Sequence, residues 1–387
     1  MLENILIHWQ TPEGLAQSAQ WRSESKPTPP ARVQQIGDTL PADTAYRLAC
    51  EGTGLLWAGD FQNAKLLLQA LARRLDNSES HLRKGKKRAR ADAVPDPAHV
   101  FNSHRQRQSQ RARVLNSLLI PFDAQHMIPL RRAPDVRQAC EQAFGTSGEP
   151  CVRPLRELLG AIGAAQWRIA GVDIPELGSK IHAHYGVFSP LRGEYLALVA
   201  QAPLPKGCKT AADIGTGTGV LAAILARRGV ETVLATDNSP RALACARENM
   251  SRLGLANRVQ ILDADLFSTQ RADLLVCNPP WLPARPTSVL ESAVYDPDSA
   301  MLRGFLAGAC AHLNPGGEAW LILSDLAEHL HLRTRAALLD WIAAAGLVVL
   351  GYMDTRPSHP KVQDTSDPLH AARAQETTRL WRLGAQP

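Results

Sequence analysis

From residue 208 onward the chain alternates short apolar runs with amphipathic ones. The runs Thr210 to Asp213, Glu231 to Thr236, Val259 to Leu262 and Asp273 to Cys277 read as strands, because a short apolar run bounded by turn residues fits a strand covered on both faces. Between them, Val220 to Arg228 and Pro240 to Leu253 carry apolar residues at helical spacing, and Pro240 suits a first helical turn. The pattern goes on with a helix from about Ser299 to Leu313, a stop at Pro315-Gly316-Gly317 and a strand from Glu318 to Leu323. A helix from about Leu326 to Ala345 and strands at Leu347 to Tyr352 and Thr377 to Leu383 complete it. Strand and helix in this alternation predict a doubly wound α/β sheet of seven strands that binds ligands at the strand C-termini.

The first half is less regular. Residues 22–42 are rich in Ser, Pro and charge and read as an exposed arm. Gly54 to Ala58 reads as a buried strand that Gly59-Asp60 breaks, and Asn63 to Leu75 as a helix with Leu67, Leu68 and Leu71 on one face. Strand, glycine and helix make a βα unit, so the first half reads as a smaller α/β domain, a degenerate copy of the second. A polar stretch at 76–100 holds the basic run Arg83 to Arg90, and a second basic stretch follows at Arg105, Arg107, Arg111 and Arg113. Residues 135–185 read as mainly helical. The boundary is placed near residue 175, giving domains 1–175 and 176–387.

Composition bounds these expectations. A chain of 387 residues with 45% hydrophobic residues is globular and long enough for two cores. The net charge of +6 is compatible with an anionic partner. Seven dispersed cysteines, with no Cys-x-x-Cys pair, speak against a disulfide framework and a structural zinc, and for a reducing cytoplasm. The N-terminal stretch lacks a basic n-region and a long apolar h-region, and no run approaches the ~20 apolar residues of a membrane span. His182 and His184 lack an obvious acidic or Cys partner in sequence, so no metal is expected. Trp57, Trp167, Trp320 and Trp341 lie in apolar runs and are expected in the core.

The chemistry begins at Asp213-Ile214-Gly215-Thr216-Gly217-Thr218-Gly219. Glycines between a strand and a helix let backbone approach a ligand, and the helix N-terminus offers free N–H groups. Asp237 lies 18 residues after Gly219, at the end of the next strand, where a carboxylate can accept from two ribose hydroxyls. It could instead cap the following helix, a job open also to Asn238 and Ser239. Glycines plus acid leave both NAD and S-adenosylmethionine open. The discriminating motif is Asn278-Pro279-Pro280-Trp281, directly after a strand. An Asn side chain and a proline carbonyl can grip both hydrogens of an NH2 group and turn the nitrogen lone pair toward a methyl donor, while an aromatic ring stacks on the planar target.

These motifs, with Asp265-Leu266-Phe267 between them, resemble the Rossmann-like, class I methyltransferases that carry an Asn-Pro-Pro-aromatic signature. The stretch is similar to two families of small-domain methyltransferases. The HemK-type glutamine methyltransferases share the glycine turn and a segment like Tyr295-Asp296-Pro297-Asp298-Ser299-Ala300. The ribosomal-RNA guanine-amine methyltransferases, built from a degenerate first half and an active second half, share a segment like Tyr185-Gly186-Val187-Phe188-Ser189. The resemblance covers about 180–325. It implies S-adenosylmethionine as cofactor, held by Asp213 and the Gly215, Thr216, Gly217, Thr218, Gly219 turn, with Asp237 and Asn238 at the ribose. It further implies Asp265 at the adenine amino group, Leu266 against the ring, and Asn278 touching cofactor and substrate. Two departures stand out: Trp281 where Tyr or Phe is usual, and Ser189-Pro190-Leu191-Arg192-Gly193-Glu194, which matches the HemK lead-in segment only loosely.

The expectation is an N-methyltransferase acting on an exocyclic base amine of RNA, with residues 1–175 recognising substrate. The basic stretches and the two-half layout favour it. The alternative is a protein glutamine amide, as on a release factor, because that amide presents the same NH2 geometry. A non-enzymatic assembly factor and a DNA substrate are further readings. No membrane or metal partner is expected.

Overall fold

The computed structural model describes residues 5–25, 28–89, 96–146, 148–190, 193–286, 290–357 and 363–386, with 78–89 and 290 described for their backbone alone. Two units emerge from its internal contacts: residues 1–96 with 102–166, and residues 97–101 with 167–387. The boundary drawn near residue 175 therefore lies inside the C-terminal unit.

The C-terminal unit holds seven strands, labelled here β1 (Thr210–Ile214), β2 (Thr232–Asp237), β3 (Val259–Asp263), β4 (Ala272–Cys277), β5 (Leu313–Ser324), β6 (Leu347–Thr355) and β7 (Thr378–Ala385). Their order across the sheet is β3-β2-β1-β4-β5-β7-β6. The first five are parallel, and β7 runs antiparallel between β5 and β6. Chain order reverses between β1 and β4, which opens a crevice at their carboxyl ends. Residues alternate between faces. Ala211, Leu274, Val276 and Trp320 join one apolar cluster, and Ala212, Ile214, Leu275 and Leu321 another. Helix Val220–Arg227 is apolar all round because neighbours cover every side of it, and Val220 to Ala226 are all buried.

The N-terminal unit is also α/β, a mixed six-stranded sheet. Strands Arg32–Ile36, Thr53–Trp57 and Leu118–Phe122 lie side by side and parallel. The stretch read as an exposed arm thus contains a strand. Its sequence, Arg-Val-Gln-Gln-Ile, is that of a sheet edge with one face in water, so polarity masked it. The polar stretch from 76 lies in the helix Phe61–Ala89, and the basic residues at 105–113 in the helix Pro97–Leu115. The side chains of Arg83 to Arg90 lie outside the described residues. Strands Cys151–Pro154, Val172–Ile174 and Ser179–Ile181 interrupt the region expected to be helical.

Three smaller expectations also change. The helix from Leu326 breaks into Leu326–His329 and Arg335–Ala344, with His331 at a φ of 56° and Thr334 capping the second piece. Pro315-Gly316-Gly317 sits within β5 instead of ahead of it. Trp57 and Trp320 are buried, but Trp167 is 55% exposed.

Leu274, on the central strand β4, is fully buried. Leu274→Ala is expected to cost about 2–5 kcal/mol, because close-packed neighbours cannot collapse into the space. Urea unfolding of the full chain checks this; a loss under 1 kcal/mol would mean the strand is not central to the core.

Candidate functional site

The glycine turn leaves the end of β1 and enters the helix Val220–Arg227. Its shape is set from below by Asp213, which is 1% exposed. One carboxylate oxygen accepts from the Thr216 hydroxyl at 2.6 Å and from the Ala222 N–H at 3.0 Å. From the side, the Thr236 carbonyl accepts from the N–H groups of Gly215 and Thr216. Two glycines are obligatory. Gly215 and Gly219 have φ of 73° and 82°, and a Cβ would stand 2.5 Å from the Met301 methyl at the first and 2.9 Å from the Met250 methyl at the second.

Asp237, at the end of β2, reaches back to this turn. It accepts from the Gly217 N–H at 3.0 Å and the Ser239 N–H at 2.9 Å. The helix Pro240–Arg252 is capped by Ser239, whose hydroxyl accepts from Ala242. The cap and the half-buried carboxylate therefore fall to different residues. Asn238 donates to Asp265 at 3.4 Å, and the Thr236 hydroxyl donates to the Leu266 carbonyl at 2.5 Å. Leu266 takes a left-handed φ of 66°, uncommon for a branched residue. Its side chain leans on Gly304, where a Cβ would come within 2.7 Å.

Asn278-Pro279-Pro280-Trp281 follows β4. Cys277 pairs with Ile214, so Asn278 emerges beside Gly215. The Trp281 indole N–H donates to Asn278 Oδ1 at 2.9 Å. Near the Asn278 side chain lies Tyr195, buried on the helix Glu194–Gln201. After the motif the chain returns at Tyr295, which bridges to Leu282. Asp296 then accepts from the Met301 and Leu302 N–H groups and caps the helix Ala300–His312. Asp298 and Ser299 both sit at positive φ. That strained turn swings Met301 over Gly215, and such backbone is retained only where its surroundings over-determine it.

The sequence-predicted residues thus fall into two groups. Gly215, Gly217, Asp237, Asn238, Asp265, Leu266, Asn278, Pro280 and Trp281 keep surface along the crevice, whereas Asp213, Thr216, Thr218, Gly219 and Pro279 are buried beneath it. Tyr195, Asp296 and Met301 escaped the sequence reading as site residues. Tyr195 lies in an apolar helix with no marker of its own, and Asp296 was noticed only as part of a resembling segment. Leu191 and Arg192 of the lead-in segment lie outside the described residues. His184, taken to lack an acidic partner, has one: its Nε2 is 2.8 Å from Glu248. Burial opposes ionisation of Glu248, yet bonds from Arg252, His184 and Arg168 hold its pKa down to about 2. That arrangement is an ion-pair cluster, and among the described residues no group of three or more His, Cys, Asp or Glu could hold a metal.

Residues 178–338 match the family model described as the methyltransferase small domain. The chain is 35% identical over 170 residues to the release factor glutamine methyltransferase of Cereibacter sphaeroides, covering 40% of this chain and 60% of that one. It is 36% identical over 165 residues to the enzyme of the same name from Xylella fastidiosa, covering 39% and 57%. The chain thus spans less than two thirds of the length of these curated relatives. A solved methyltransferase from Pyrococcus furiosus aligns with a TM-score of 0.40 at 18% identity, over 57% of this chain and 96% of that one.

Burial raises the Asp213 pKa to about 6, against the opposing bonds from Thr216 and Ala222. A carboxyl whose folded pKa exceeds its unfolded value is bound to its proton more tightly when folded, so its contribution falls as pH rises between about 4 and 6, by roughly 3 kcal/mol. Asp213→Asn mimics the protonated form. The stability difference, variant minus wild type, should be small at pH 4 and grow in favour of the variant by pH 7. Calorimetric melts across that range check this, and a flat difference would refute it.

Proposed function

We propose that this chain, whose residues 178–338 carry a methyltransferase small domain, uses S-adenosylmethionine to methylate the side-chain amide of a glutamine in a protein. The observation that carries the proposal is the placement of Asn278 and Trp281 at the end of β4, beside Gly215 on the turn after β1. An amide nitrogen needs both hydrogens held before its lone pair can point at an electrophile, and one side-chain carbonyl plus one backbone carbonyl is the least that can do so.

The residues present fit the cofactor. Gly217 has open space where a Cβ would stand, so backbone is accessible at the turn. Its N–H is taken by the Asp237 carboxylate, so what the turn offers the cofactor's amino acid part is close backbone approach. When bound, S-adenosylmethionine supplies an activated methyl group. Gly215 and Gly217 would line its amino acid part, Asp237 its ribose, and Asp265 and Leu266 its adenine. Asn278 Oδ1 and the Pro279 carbonyl would hold the two amide hydrogens while the Trp281 ring stacks on the amide plane. Alignment is then the main catalytic contribution, and no strong base is required of the chain.

The sequence favoured an RNA base amine. The likeness to enzymes named for glutamine methylation moves the amide ahead. The basic helix gives RNA limited support: Arg111 is paired with Asp76. Substrate selection is assigned to the N-terminal unit, since the curated matches cover 40% of the chain or little more and the family model begins at residue 178.

Two experiments test the proposal. The chain is incubated with methyl-labelled S-adenosylmethionine and a cell extract lacking the enzyme, and RNA is separated from protein. Label is expected on protein glutamine; label confined to RNA would overturn the amide reading. Calorimetry should show binding of S-adenosylhomocysteine and none of NAD, and Asn278→Ala should keep that affinity within a few-fold while kcat falls by about two orders of magnitude or more. Activity within a few-fold of wild type would mean the backbone alone grips the substrate.

A further inference from the structure

The Asn278 side chain is held at its carbonyl end. Its Oδ1 accepts from the Trp281 indole N–H at 2.9 Å. Nearby lies the Tyr195 side chain, 5% exposed. A primary amide has a carbonyl end and an NH2 end of nearly equal size, so a lone Asn side chain can present either end to a ligand. An indole nitrogen only donates, so the end facing Trp281 must be the carbonyl. A carbonyl oxygen has two lone pairs, and the indole uses one.

The indole cannot easily leave this contact. The Trp281 ring packs against the apolar clusters on both faces of the sheet. Pro279 and Pro280 fix φ in the turn between the two partners. The contact therefore belongs to the frame of the site. It also gives a reason for tryptophan at this position: a phenyl or phenol ring could stack on a substrate but could not donate to Oδ1 from the ring edge at this position.

We infer that Trp281 is a positioning residue that locks the orientation of the Asn278 amide, so that its carbonyl end, with one lone pair free, faces the amide N–H of the substrate. The lock rests on the amide-methylation reading above for its purpose, though not for its existence. In this arrangement the indole N–H also draws electron density from the shared oxygen, and the fixed orientation spares the site a rotation when substrate arrives.

The lock and the function can be tested apart. The full chain is labelled with 15N at tryptophan, and the Trp281 indole signal is identified by its loss in Trp281→Phe. Without any substrate, Asn278→Ala should move that signal upfield, and Trp167→Phe, at an exposed ring, should leave it in place. With substrate, Trp281→Phe should lower kcat about tenfold, the loss expected when a reacting group is held less well. KM and the affinity for S-adenosylhomocysteine should stay within about twofold, a split that loss of folding or of stacking alone would not give. A Trp281 signal indifferent to Asn278→Ala, or Trp281→Phe turning over at the wild-type kcat, overturns the lock. Failure of the wild-type chain to methylate any glutamine would sink the functional reading, while the spectra would still decide the lock.

Discussion

A single buried carboxylate organises the crevice. Asp213 sits near the end of β1 and binds, through one oxygen, the turn at Thr216 and the helix at Ala222. Burying a carboxylate is costly, and here the cost is only partly offset by charge-assisted bonds to donors that would otherwise be orphaned at a helix start. The turn is therefore not free to relax toward a commoner path. Gly215 and Gly219 must stay at positive φ, and the N–H of Gly217 must face outward to where Asp237 meets it.

Everything else at the site is referred to that turn. β4 is registered to β1 by four consecutive pairs from Leu274 to Cys277, so the Asn-Pro-Pro-Trp turn has a fixed offset from the glycines. Met301 closes over Gly215 because Asp296 caps its helix and the residues between bend through two left-handed conformations. Parallel strands, crossovers and caps thus convert strand register into the placement of an amide group at the edge of the sheet.

What could be read in the sequence follows from how local each constraint is. The glycine turn, Asp237 and the Asn-Pro-Pro-Trp turn are legible because their roles depend on backbone conformation and on their place at a strand end, and both leave a mark within a few residues. The seven strands, though not their order across the sheet, were legible because most of them are covered on both faces and so run apolar. Tyr195 was not, since its neighbour Asn278 is far along the chain and nothing in Glu-Tyr-Leu-Ala-Leu-Val marks one residue as different. The edge strand Arg32–Ile36 was hidden by polar residues on its wet face. Trp167 misled in the opposite direction: it follows an apolar helical stretch, yet points to solvent. The His184–Glu248 pair joins residues distant in sequence, so only the fold could reveal it.

The N-terminal unit carries one more feature at the end of its strand Thr53–Trp57. There the Asp60 N–H, just ahead of the helix Phe61–Ala89, donates to the Asp38 carboxylate at 3.1 and 3.2 Å, and Asn63 and Arg131 donate to the same group. Gly59 passes so close that a Cβ would stand 2.6 Å from an Asp38 oxygen. A helix start that could receive the acid group of a small molecule is, in this unit, already sealed by the chain's own acid. A visiting ligand would have to dislodge a tethered competitor whose effective concentration no free metabolite matches. The unit has in that sense an internal stopper, and one substitution at Asp38 would uncork the opening without rebuilding the glycine path a nucleoside needs.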